Sequence, residues 1–276
     1  PFITLFHWDL PQVLQEQGGW LNPEIAKWFG EYSGILSDRF SDRVSNWFTL
    51  NEPQCFIGLG HYAGIKAPGL KLGVKDSLLA LHHSLLAHGL SVRALRDNAK
   101  KPIKVGPVPT GSVAYPTVDT PANRDAAYKA TFNVLGSEED KHMCHRWKVP
   151  VNPLWNIAWY TDPIFLGEYP EQGIEALGDN VPKYTDEEMA IISQPVDFCG
   201  LNLYSGFPVQ TDQDLGWVCR ERPIGNPLTA FKWSVTPEIM YWGPKFFYER
   251  YKKPIYITEN GMSCLLYTSD AADDEE

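Results

Sequence analysis

The sequence predicts an α/β fold with a parallel sheet, closed as a barrel rather than left open. Two observations carry this expectation. Five short apolar, β-branched stretches begin near Phe2, Val44, Ile103, Phe198 and Ile255, and helical stretches separate them. Alternation of this kind lays the strands parallel. Chemistry-bearing residues also stand at strand C-terminal ends: His7, Asn51, Glu52, Tyr204 and Glu259. A barrel gathers all those ends around one pocket. An open doubly wound sheet usually shows a Gly-rich phosphate turn, and the chain contains neither GxGxxG nor GxxxxGK followed by Ser or Thr. No internal repeat is visible.

The elements follow in order. The first strand leads into His7-Trp8-Asp9. Pro11 opens a short helix that Gly18-Gly19 stops. Asn22-Pro23 opens a second helix, with Ile25, Trp28, Phe29, Tyr32, Ile35 and Leu36 forming one apolar face. The strand from Val44 ends at Asn51-Glu52, and Pro53 stops it. A Gly-rich loop is expected over 58–73, then a helix over 76–98 with Leu78, Leu81, Leu85 and Val92 on one side. A strand over 103–105 and a helix over 121–134 follow. Residues 152–160 are aromatic and ambiguous, and Asp162-Pro163 and Tyr169-Pro170 bound an expected loop. Thr185 with Glu188 is a capping box that opens another helix. After the strand over 198–203, residues 212–229 read as polar loop. Thr236-Pro237 caps a helix that Gly243-Pro244 should kink. The last strand is Ile255 to Glu259, followed by an Asn-Gly turn.

Composition narrows the function classes. A chain of 276 residues, 43% hydrophobic, can bury a sizeable core, so it is globular. A net charge of −10 argues against a nucleic-acid partner, which needs a basic face. No run of about twenty apolar residues exists to span a membrane. The five cysteines, Cys55, Cys144, Cys199, Cys219 and Cys264, are scattered and odd in number. That pattern fits a reducing, cytoplasmic compartment better than a disulfide framework. The ten tryptophans exceed what core packing needs, and aromatic faces also stack on sugars. His142, Cys144 and His145 match no zinc-finger spacing, so no metal and no cofactor are expected. His82-His83 reads as ordinary packing and surface.

Two strand-end carboxylates far apart in sequence suggest a two-carboxylate active site, because burying an unpaired carboxylate for packing alone is costly. The surrounding residues make the suggestion specific. Thr49-Leu50-Asn51-Glu52-Pro53 and Ile257-Thr258-Glu259-Asn260-Gly261 resemble the two signature segments of glycoside hydrolase family 1, the β-glucosidases, β-galactosidases, 6-phospho-β-glucosidases and relatives. Phe6-His7-Trp8-Asp9-Leu10-Pro11-Gln12, Gly18 to Pro23, Ala67-Pro68-Gly69, Asp162-Pro163 and Gly200-Leu201-Asn202-Leu203-Tyr204 agree, in family order.

The resemblance implies a (β/α)8 TIM barrel, of which this chain covers about strands 3 to 7. It implies a retaining β-glycosidase acting on terminal β-linked glucosyl-type residues, with Glu259 as nucleophile and Glu52 as acid/base. Glu52 is then expected to carry a proton before the first step. Retention asks for carboxyls about 5–5.5 Å apart. Tyr204 resembles the tyrosine that hydrogen-bonds the nucleophile. His7, Trp8, Asn51 and Asn202 fall in segments that bind substrate. The partner is then a small β-glycoside or oligosaccharide. Two other readings stand beside this one: a non-catalytic sugar-binding relative, and another barrel β-glycanase. The presence of both glutamates weighs against the first, and the HWDLP and ITENG segments weigh against the second.

The chain also departs from the family. The first two strands and the eighth have no counterpart, so residues 1–262 are expected to be a partial barrel domain. Residues 263–276, with Cys264-Leu265-Leu266-Tyr267-Thr268-Ser269-Asp270, look like adaptor read-through and are expected to be a non-native tail. A five-stranded arc leaves sheet edges unpaired. As written, the chain is therefore expected to be unstable and inactive or nearly so.

Overall fold

The computed structural model describes residues 1–134, 153–221 and 224–263. The His142, Cys144 and His145 group and the expected tail from Cys264 onward lie outside the described residues. Five parallel strands form one arc: β1 (Phe2–Phe6), β2 (Asn46–Asn51), β3 (Lys104–Val108), then, later in the chain, β5 (Cys199–Asn202) and β8 (Ile255–Glu259). β1 pairs β2 with Phe2 opposite Asn46, and β2 pairs β3 with Asn46 opposite Lys104. β3 meets β5 through Asp197 N to Val105 O at 2.8 Å and Asn202 N to Pro109 O at 3.1 Å. β5 pairs β8, and a bulge between Leu201 and Asn202 sets Asn202 opposite Glu259. These are the five strands expected from the sequence. Phe2, Phe48, Phe198 and Tyr256 pack ring to ring at 5.0–5.5 Å between successive partners, with Phe48 and Phe198 buried and Phe2 and Tyr256 exposed.

Three strands were not expected. β4 (Val113–Pro116) pairs β6 (Gly206–Asp212) in parallel, and β6 turns into β7 (Gly216–Cys219) as a hairpin. The turn and second strand of the hairpin fall in the stretch 212–229 read as loop. Its turn is polar because Asp212 Oδ1 accepts from the N–H groups of Asp214 and Leu215.

The helices form the outer layer. α1 (Gln12–Glu16) is short, and α2 (Glu24–Phe40) packs on α3 (Val74–Asp97). The expected apolar face of α2 is partly wrong. Tyr32 and Ile35 are exposed, and Gly30, Ser33, Gly34 and Ser37 are buried instead. Small residues let the helices approach closely: a Cβ at Gly30 would stand 3.2 Å from Leu90 Cβ. The Ser33 and Ser91 hydroxyls share a 2.8 Å bond across the contact, and Ser37 Oγ donates to Leu95 O at 2.6 Å. α3 fits its expected face, with Leu78, Leu81, Leu85 and Val92 fully buried.

The chain continues through α4 (Pro121–Thr131), α5 (Ala158–Phe165), α6 (Glu171–Leu177), α7 (Asp186–Ile192) and α8 (Ile239–Tyr251). α4 stops three residues before its expected end. Thr185 and Glu188 form the expected capping box on α7. At Gly89 of α3, an added Cβ would stand 1.9 Å from Ile191 O of α7, so only glycine allows this approach. Asp162-Pro163 lies inside α5 rather than at a loop edge. Buried Asp162 accepts from Arg250 Nε at 2.8 Å and from the Tyr251 hydroxyl at 2.8 Å, tying α5 to α8. α8 runs unbroken through Pro244. Its expected cap, Thr236, instead accepts from Gly206 N at 2.9 Å.

His82 and His83 are buried, not surface. Burial pushes His82 down to about 4 and His88 down to about 3. Both rings are therefore neutral in the folded protein. Between those values and the ordinary 6.5, only the unfolded chain takes up the protons. Stability is full above pH ~6.5 and falls as pH drops toward 4, by roughly 3 kcal/mol for His82 alone. Urea unfolding from pH 7 to pH 4.5 should show that fall, and His82→Gln should flatten it. An unchanged slope in His82→Gln would remove His82 from the account.

Candidate active site

The strand ends carry the site. β2 ends in Asn51, and Glu52 follows with a φ of 44°. Trp8, after β1, has a φ of 77°. Such conformations are strained for residues with a side chain, costing about 1–3 kcal/mol, and persist only where neighbours hold them. Here they are held. Glu52 N donates to Val108 O at 2.7 Å, Glu52 O accepts from Cys55 N at 2.8 Å, and Trp8 Nε1 donates to Asn51 O at 3.1 Å. Pro53 then opens a π-helical segment, Gln54–Tyr62, where the sequence led one to expect loop from residue 58. The turn brings Cys55 back over the Glu52 side chain.

Glu52 is 5% exposed, yet both of its oxygens are occupied. Oε1 accepts from Asn202 Nδ2 at 2.8 Å, and Oε2 accepts from Cys55 Sγ at 3.2 Å. Asn202, fully buried at the end of β5, also donates to Asn51 Oδ1 at 3.1 Å and accepts from the Thr258 hydroxyl at 2.6 Å. Asn51 Nδ2 in turn meets His7 Nε2 at 3.2 Å. Opposite, at the end of β8, Glu259 is half-buried, and the Tyr204 hydroxyl donates to its Oε2.

Glu52, Glu259, Trp8 and Tyr204 line one cavity of about 800 Å³. Asn51 and Asn202 lie buried beside Glu52 rather than in the cavity lining, and exposed His7 joins the group through its bond to Asn51. The seven residues singled out in the sequence thus converge on one place. Burial, followed by the hydrogen bond to Glu259, pushes the Tyr204 phenol well up, so it remains a donor. Burial and then the Glu52 charge do the same to the Cys55 thiol. Among the described residues, no group of three or more His, Cys, Asp or Glu is placed to hold a metal ion, and no helix is long and apolar enough to cross a membrane.

Several lining residues escaped the sequence reading. Cys55 carried a signal, its position three residues after Glu52 in a proline-started turn. Thr110, Trp155, Phe231 and Trp233 come from irregular segments and carried none. Trp233 sits 5.9 Å from the Tyr204 ring, and Lys66 places its ammonium 4.3 Å from the Trp8 ring. A pair of carboxyls facing one cavity can divide labour when one is enclosed by donors and the other meets a phenol. One can handle a proton while the other acts as nucleophile.

The family model described as glycosyl hydrolase family 1 matches residues 1–146 and 148–275. Beta-glucosidase A of Thermotoga maritima is 36% identical over 265 residues, covering 95% of this chain and 54% of that protein. The 1,4-beta-D-glucan glucohydrolase of Thermotoga neapolitana is 37% identical over 268 residues, covering 95% and 57%. The solved structure of the family 1 β-glucosidase from Thermotoga maritima superposes with a TM-score of 0.74 at 36% identity, over 96% of this chain and 54% of that one. The same enzyme has been solved in complex with deoxynojirimycin. The chain spans about half the length of the curated relatives it matches.

Asn202→Ala should leave Asn51, Glu52 and Thr258 each short of one buried partner. The expected cost is about 2–4 kcal/mol in urea unfolding. Asn202→Asp should be worse at neutral pH, where a third carboxylate would face Glu52. Wild-type stability in either variant would show that the amide is not holding the strand ends.

Proposed function

The chain belongs to glycosyl hydrolase family 1, part of a (β/α)8 barrel, and from that premise we propose that the whole protein is a retaining β-glycosidase acting on terminal β-linked glucosyl-type residues. The observation that supports this best is the meeting of Glu52 and Glu259 on one cavity, each at a strand end and each with a different set of donors.

On this reading the reaction has two displacements. Glu259 attacks the anomeric carbon as Glu52 passes its proton to the departing glycosidic oxygen. The bond to the aglycone breaks, and a glycosyl ester forms on Glu259. Glu52, now a carboxylate, takes a proton from water, and that water opens the ester. The Tyr204 hydroxyl keeps Glu259 oriented. Asn51 contacts the sugar 2-hydroxyl, where a hydrogen bond strengthens in the transition state. His7 and Trp8 extend the sugar-binding wall, and buried Asn202 stands behind it, holding Asn51 and Glu52 in place. The scheme needs no cofactor, and its partner is a small β-glycoside or oligosaccharide. A cytoplasmic location is proposed with it, supported by the buried thiols of Cys55 and Cys199, neither of which is in a disulfide.

Incubation of the full-length protein with a 2-deoxy-2-fluoro-β-glucoside should add one glycosyl mass to the peptide holding Glu259, and Glu259→Gln should lose that label. Glu52→Gln should lower turnover of a substrate with a poor leaving group by about 100-fold or more. A product of inverted configuration, or a label on any other residue, would sink the retaining mechanism.

A further inference from the structure

We propose that Cys55 is a positioning residue for the Glu52 proton, its S–H group governing how readily that carboxyl charges and recharges; this rests on the acid/base role given to Glu52 above. The two oxygens of Glu52 differ in their surroundings. Oε1 accepts from the Asn202 amide. That amide cannot turn over, because its own oxygen takes the Thr258 hydroxyl at 2.6 Å and its nitrogen also serves Asn51. An amide N–H donates and never accepts, so it offers nothing to a proton on Oε1. Oε2 is the oxygen left to carry the proton, and its neighbour is the Cys55 sulfur at 3.2 Å.

A thiol suits that place because it is both a weak donor and a weak acceptor. It donates to the carboxylate, as the contact to Oε2 shows, and accepts less well from the carboxylic acid, so it leans toward the carboxylate but less than a hydroxyl would. Cys55 is buried, and its thiol stays protonated because burial and the Glu52 charge both oppose its ionisation. A hydroxyl in its place would donate more strongly and hold Glu52 charged. A methyl group would not donate at all.

Other titratable groups face this pair. Glu259 comes from β8, Tyr204 from the end of β5, Lys66 from the segment after the π-helical turn, and Tyr160 from α5. His7, after β1, reaches Glu52 through its neighbour Asn51. None of these residues changes when Cys55 is substituted, so their effect is common to every variant.

The test compares full-length wild type, Cys55→Ala and Cys55→Ser. The rate kcat/KM for a 4-nitrophenyl β-glucoside is followed against pH. The basic limb, which reports the acid/base group of the free enzyme, should move up by about 0.5–1 pH unit in Cys55→Ala and down by a similar amount in Cys55→Ser. The acidic limb should stay in place. The infrared S–H band lost in Cys55→Ala should shift in Glu52→Gln, which reads the contact without needing turnover. If Cys55→Ser does not fold, the alanine profile and this band decide the matter. A uniform fall in rate with both limbs unmoved marks a merely structural residue and overturns the proposal, as does an unmoved S–H band. An active wild type with coincident limbs overturns the role of Cys55 alone. A wild type without β-glycosidase activity overturns the proposed function and, with it, this role.

Discussion

The Asn202 amide has three side-chain partners and no access to solvent. It draws Asn51 and Glu52 from β2, and Thr258 from β8, onto the end of β5. Those are the strands whose ends hold the two carboxyls. A buried amide left unpaired would cost several kcal/mol, so the strand ends are held in one arrangement. The bulge at Leu201 and Asn202 is part of the same device. It places Asn202 opposite Glu259 and lets one side chain serve both sides of the cavity. Bulges beside active sites commonly re-aim a side chain in this way.

The two carboxyls receive unlike treatment from this framework. Glu52 is enclosed, with an amide on one oxygen and a thiol on the other. Glu259 is half-buried and meets a phenol that burial keeps protonated. Division of labour between two chemically identical side chains comes from such differences in surroundings. Lys66, which lines the same cavity, rests on the Trp8 ring. Its charge still reaches the Cys55 thiol, opposing the effect of Glu52 there.

Strain at the site is supported from beneath. Left-handed backbone at Trp8 and Glu52 is sustained by hydrogen bonds to Asn51 and Val108, and those residues belong to strands locked by packing below. Thr49, on β2, reaches His88 of α3 at 2.7 Å. The close approach of α2 to α3 through Gly30, Ser33, Gly34 and Ser37 keeps α3 in place. The aromatic cluster of Phe2, Phe48, Phe198 and Tyr256 links β1, β2 and β8 with the start of β5.

Much of this was legible in the residues alone. Alternating β-branched and amphipathic stretches determined five parallel strands, because hydrophobic period is a local property. Acids placed directly after apolar strands marked Glu52 and Glu259, because a carboxylate there has no packing role. The capping box at Thr185 and Glu188 was equally local. Other features depended on the tertiary structure. Gly30 and Ser33 displaced Tyr32 and Ile35 from the helix contact because the approach of α3, not side-chain hydrophobicity, chose the face. Asp162 entered a helix because Arg250 and Tyr251, nearly ninety residues away in the chain, receive it. Residues 206–219 became a hairpin because β4 offered an edge to pair with. Cys55, Thr110 and Trp233 reached the cavity only through turns with no periodic signal. Which donor meets which oxygen of Glu52 was decided by the fold alone, since that choice depends on distances between strand ends far apart in sequence.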